Sequence, residues 1–152
     1  MTKTEITFTG IALACCMAAA AAAQEVKVKA NEVPAPVRAA ASKAYPAAQV
    51  KGWEKDVEDG KTLYEATMTQ GGSEWQVAYT GDGTFDAREE KIAVAALPAA
   101  ALDAVKAKYP KAVIHSAEKI TRATGIEYEA GLKNAPKKEV VLTAEGKILK
   151  EE

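Results

Sequence analysis

The chain has 152 residues, with 20 lysines and arginines against 21 aspartates and glutamates and a net charge of −1. Charges of both signs are interspersed, so no basic field exists to concentrate on a phosphate backbone, and nucleic acid is excluded as a partner class. The single histidine, His115, cannot supply the ligand cluster of a metal site, and with no thiol in the expected mature chain its only catalytic partners would be carboxylates and hydroxyls, so it reads as a partly exposed strand residue.

The chain opens with one lysine, Lys3, before an apolar run from Ile6 to Ala23. Ala21-Ala22-Ala23 offers the small side chains that signal peptidase accepts, so residues 1–23 are expected to be a secretory signal cleaved before Gln24. Thr7, Thr9 and the alanine-rich end leave the run weakly hydrophobic for crossing about 30 Å of hydrocarbon. Cys15 and Cys16 lie inside it and fit a lipoprotein signal poorly, because Cys15 has Ala12 where leucine belongs and Cys16 follows Cys15 instead of glycine or alanine. They read as apolar filler of the discarded peptide. The expected mature chain, periplasmic or secreted and free of the membrane after cleavage, has no cysteine and must be held by its core alone.

Residues 24–32 read as an N-terminal linker, after which the chain repeats itself at an offset of 64 residues. Between Val33–Ala66 and Leu97–Ala130, 11 of 34 positions are identical, among them Pro34/Pro98, Tyr45/Tyr109, Pro46/Pro110, Glu54/Glu118 and Tyr64-Glu65-Ala66/Tyr128-Glu129-Ala130. The organisation expected is a first unit over 33–91, a linker over 92–96 and a second unit over 97–152.

Each unit begins with a helix, since Pro34 and Pro98 suit a first turn where the missing N–H is not needed. Val33, Val37, Ala41 and Tyr45 recur at helical spacing, as do Leu97, Ala101, Val105 and Tyr109. Tyr-Pro then ends both helices, because proline drives the preceding residue out of helical geometry. Beyond it the apolar period falls to two, giving strands near 48–57, 62–68, 74–80 and 84–89, then 112–122, 126–132, 138–143 and 147–150. Connections this short require antiparallel hairpins. The fold class is therefore α+β: two tandem units, each one helix packed on a four-stranded antiparallel meander. Alternation along the second strand of each unit sends Tyr64 and Tyr128 beneath the helix, and Glu65 and Glu129 the other way.

A signal peptide followed by tandem helix-plus-strand units, each with a Tyr-Pro-x-Ala junction, a Tyr-Glu strand and a turn glycine (Gly83, Gly146), resembles the PepSY-like family and the double-unit β-lactamase inhibitor proteins. The resemblance implies an exported, non-enzymatic module that binds a periplasmic or secreted protein and inhibits or modulates an enzyme such as a peptidase. The inhibitor proteins carry disulfides, which this mature chain lacks.

No catalytic, metal-binding or cofactor-binding set emerges. The acidic run Glu54, Asp56, Glu58 and Asp59 lacks the alternating oxygen ligands and fixed glycine of a calcium loop and reads as strand edge and turn. Trp53 and Trp75 align with Ala117 and Lys138, so the unit itself does not demand them, and each is either a core filler peculiar to the first unit or a contact residue. The candidate partner-binding set is Trp53, Leu63, Glu65, Gln76, Glu127 and Glu129, on the sheet face opposite the helices, where a polar surface can stay wet. The alternative expectation is a carrier or sensor of a small ligand held between sheet and helices.

Overall fold

In the computed structural model, residues 26–58 and 60–151 are described. The expected signal segment with Cys15 and Cys16, and Asp59 of the acidic run, lie outside the described residues.

Both helices form where the proline and tyrosine signals put them. Helix α1 spans Ala35–Ala44 and α2 spans Ala99–Lys108, with Pro34 and Pro98 as N-caps and Tyr45 and Tyr109 as C-caps. The capping tyrosine N–H groups close the last turns on the Ala41 and Val105 carbonyls at 3.0 and 2.8 Å. Pro46 and Pro110 follow directly, so neither helix can continue. The strands are β1 (Val26–Val28), β2 (Gln49–Glu58), β3 (Lys61–Gln70), β4 (Ser73–Thr80), β5 (Phe85–Ile92), β6 (Val113–Arg122), β7 (Gly125–Lys133), β8 (Glu139–Thr143) and β9 (Ile148–Glu151).

All nine strands of the described residues join one antiparallel sheet in chain order, against which α1 and α2 pack. The expectation of two four-stranded sheets gives way to this single sheet, because β5 has a partner on each edge. It pairs with β4 through Gln76↔Glu89 and with β6 through Glu89↔Ile120. The stretch 24–32, expected as linker, contributes β1 and a one-turn 3₁₀ helix over Ala30–Glu32. Its counterpart between β5 and α2 is a second 3₁₀ turn over Val94–Ala96. The two junctions share a register: Val28 pairs with Trp53 on β2, and Ile92 pairs with Ala117 on β6.

On the helix side the apolar side chains form two clusters. Val37 and Ala41 of α1 meet Trp53, Ala66, Met68, Trp75, Val77 and Tyr79, while Ala101 and Val105 of α2 meet Ala117, Ala130, Leu132, Val140 and Leu142. Full burial of one such side chain stabilises by roughly 1.5–3 kcal/mol, so each cluster anchors its helix. Tyr64 and Tyr128 pack on these clusters as expected but are only half-buried, and Tyr79 is the tyrosine that the core encloses. Two turn glycines hold the helices close. A Cβ on Gly83, at φ +87°, would lie 2.7 Å from the Pro36 carbonyl oxygen, and one on Gly146, at φ +83°, would lie 2.4 Å from that of Ala100. Only glycine accepts both the backbone conformation and the contact.

Candidate functional site: the far face of the sheet

The face turned away from the helices is built by strand parity. Cross-strand pairing places its side chains in rows. One row runs Lys27, Glu54, Glu65, Ala78, Ala87 and Arg122 across β1 to β6. A second runs Thr67, Gln76, Glu89, Ile120, Glu127 and Thr143 across β3 to β8. A third runs Lys91, Glu118, Glu129, Val141 and Lys150 across β5 to β9. Leu63, Glu65, Gln76, Glu127 and Glu129 of the expected set therefore share this face.

Trp53 does not. It pairs with Ala66, lies on the helix side and is 8% exposed within the first core cluster. Trp75 is buried in the same cluster, tilted against the Tyr45 ring at 5.7 Å between centroids, with the Arg88 guanidinium 4.8 Å from its own ring centre. In the second half Glu151 takes the place of Arg88, since Arg88 pairs with Val77 and Glu151 with Val140. Glu151 accepts hydrogen bonds from Tyr109 Oη and, at 2.6 Å, from Lys108 Nζ. The tryptophans thus answer to a different packing chemistry beneath α1, which is why the second half lacks them.

The far face is polar, yet much of it is not wet. Gln76, Glu89, Glu118 and Glu129 are between 5% and 8% exposed, and Ala87, Ile120 and Val141 form a small apolar cluster among them. Leu63 is buried as well, whereas Glu65 and Glu127 are half-buried. Arg122 bridges Asp86 at 2.9 Å and Glu127 at 3.3 Å. Glu65 accepts a hydrogen bond from the Gln76 side-chain amide. Glu129 has no such donor among the described residues: burial, then the neighbouring Glu139, Glu118 and Glu89 carboxylates, push it up to about 8, with Lys150 drawing it down less strongly. Burial raises Glu118 too, Glu139 adds to that, and Lys91 opposes it.

Sequence reasoning missed Glu89, Glu118 and Glu139 as members of this face. The Glu54/Glu118 identity, combined with strand parity, contained part of that signal; the pairing of β5 with β6 did not. A hollow of about 320 Å³ opens at the β1–β3 end, lined by Lys27, Lys51, Trp53, Thr67 and Gln76 among others. Among the described residues no three histidine, cysteine or acidic side chains are grouped to hold a metal ion.

Two short helices on one side of a long antiparallel sheet, with a polar, partly buried second face, define an α+β domain. The chain belongs to the PepSY-like family, whose description reads "Putative beta-lactamase-inhibitor-like, PepSY-like" and whose model matches residues 20–87 and again 64–150. The fold is similar to that of a "putative periplasmic" protein from Bacteroides eggerthii, with TM-score 0.63 and 21% identity over 79% of this chain and 88% of that one. It is similar also to a BLIP-like protein from Bacteroides fragilis, with TM-score 0.60 and 23% identity over 78% of this chain and 85% of that one. No curated protein matches the sequence.

Proposed function

We propose that this protein is an exported, non-catalytic binding module that docks a partner protein of the periplasm or the extracellular space on the far face of its sheet, and that it inhibits or modulates that partner. Membership of the PepSY-like family supports the binding role, and the names of the similar solved structures, one periplasmic and one BLIP-like, agree with it. The observation that carries the choice of surface is the asymmetry of the sheet. One face is covered by α1 and α2 over two apolar clusters, while the other presents a graded polar surface around a small apolar patch. That combination of a desolvated centre and a polar surround is the anatomy of a transient protein interface.

The registers also support reading the chain as two copies of one unit, in which β5 closes the first copy and supplies to the second the edge that β1 supplies to the first.

Cysteine-directed photo-crosslinking tests the surface. A crosslinker on Thr67→Cys or Thr143→Cys, both on the far face, is expected to yield an adduct with a periplasmic protein. The same label on Ser42→Cys or Ala107→Cys, exposed on the helices, is expected to yield none. Adducts confined to the helix positions overturn the reading.

A further inference from the structure

The two halves place the same pair of acids at the same point of the far face and then satisfy them differently. Glu54 lies directly opposite Glu65 on β2 and β3, and Glu118 lies directly opposite Glu129 on β6 and β7. A lysine stands beside each pair, Lys27 opposite Glu54 and Lys91 opposite Glu118. Like charges facing each other across strands are unfavourable, so each pair calls for a donor.

In the first half Gln76 provides it, donating its amide hydrogen to Glu65 from the diagonal position on β4. The diagonal position on β8 belongs to Glu139, a third carboxylate, which raises both Glu118 and Glu129 where Gln76 relieves Glu65. Yet it is the second pair that is the more deeply enclosed. Glu118 and Glu129 are 5% and 6% exposed, and among the described residues no hydrogen bond reaches either carboxyl group. The other charges facing them are Glu89 and Lys91 on β5 and Lys150 on β9. A buried, hydrogen-bond-poor carboxyl pair is expensive to keep unless something completes it.

We propose that the Glu118–Glu129 pair, with Glu139 beside it, is the socket for a lysine or arginine side chain of the partner protein. The proposal rests on the binding role assigned above and names the partner's chemistry: a basic segment laid across β6 to β8. A guanidinium or ammonium brings several donors at once and fills the place that the Gln76 amide fills in the first half. A metal ion fits less well, because no three acidic side chains of the described residues gather tightly enough to hold one. The arriving cation favours the ionised form of Glu129, so binding near neutral pH releases a proton.

The probe is an acetylated, amidated tetralysine peptide titrated calorimetrically into the mature chain, in two buffers of different ionisation enthalpy. Expected are saturable binding, a buffer-dependent heat from proton release, and a loss of about tenfold or more in affinity for Glu129→Gln and for Glu118→Gln. Glu139→Gln, which copies the first half, is expected to weaken the peptide while raising thermal stability. Glu54→Gln is expected to change affinity by less than the second-half variants. No binding, or affinity equal in wild type and Glu129→Gln, overturns the proposal, as does calcium displacing the peptide from the same pair. Far-face crosslinks that persist while the peptide fails overturn the socket and leave the docking surface intact. Crosslinks confined to the helices overturn the docking surface itself.

Discussion

At the scale of single residues, burial decides what each far-face acid does. The Glu129 carboxyl holds its proton to about 8 in the folded chain, against an ordinary value of 4.5. The unfolded chain loses that proton first, so between these values folding takes up a proton and stability falls as pH rises. The slope approaches about 1.4 kcal/mol per pH unit for one fully coupled group. It vanishes below the ordinary value, where both states are protonated, and above the raised one, where both are ionised. Urea unfolding at pH 5, 6.5 and 8 is expected to show this decline in wild type and to show most of it removed in Glu129→Gln, with the variant the more stable at pH 8. A decline equal in both proteins would place its origin elsewhere. Strand parity alone put Glu129 on this face; its desolvation depends on neighbours from β5, β6, β8 and β9 that no local pattern reveals.

At the scale of elements, the helix-side tyrosines show what periodicity tells and what it leaves open. Alternation along β3 and β7 correctly assigns Tyr64 and Tyr128 to the helix side, yet the rings are half-buried there. Tyr79 on β4 is 2% exposed, and burial pushes its hydroxyl up to about 12. Among the described residues that hydroxyl has no hydrogen-bond partner. Tyr79→Ala is therefore expected to cost roughly 3–5 kcal/mol, by analogy with other large aromatic core residues. Tyr64→Ala is expected to cost clearly less. Tyr79→Phe is expected to be neutral or slightly stabilising, since it removes an unpaired buried polar group and keeps the ring. Chemical denaturation of the three variants checks the order, and a large loss in Tyr79→Phe would reveal a partner for the hydroxyl. Trp53 and Trp75 teach the converse lesson. Their absence from the second half marks a change in core chemistry, with Arg88 over Trp75 in one half and Glu151 bonded to Tyr109 and Lys108 in the other.

At the scale of the whole molecule, the continuity of the sheet through β5 has a thermodynamic consequence. Separating the halves breaks the β5–β6 ladder from Ala87↔Arg122 to Ile92↔Ala117 and uncovers Ala87 and Ile120 together. Unfolding of residues 24–152 is therefore expected as one calorimetric transition, with equal calorimetric and van't Hoff enthalpies. Two resolved transitions would mean halves that fold independently. Much of this architecture can be read along the chain: the helices from Pro34 to Tyr45 and Pro98 to Tyr109, eight of the nine described strands, their antiparallel sense and the side of the sheet that Leu63, Tyr64, Glu65, Gln76, Glu127, Tyr128 and Glu129 take. Those properties follow from short-range sterics and hydrophobic period, which adjacent residues encode among themselves. Folding in three dimensions alone settled that β5 serves two neighbours, that residues 26–28 form an edge strand, that Trp53 turns inward, and that Glu118 and Glu129 meet beside Glu139 out of water. Each of these depends on which strand lies beside which, and on the solvent that distant side chains exclude, and neither is a property of any local stretch of the chain.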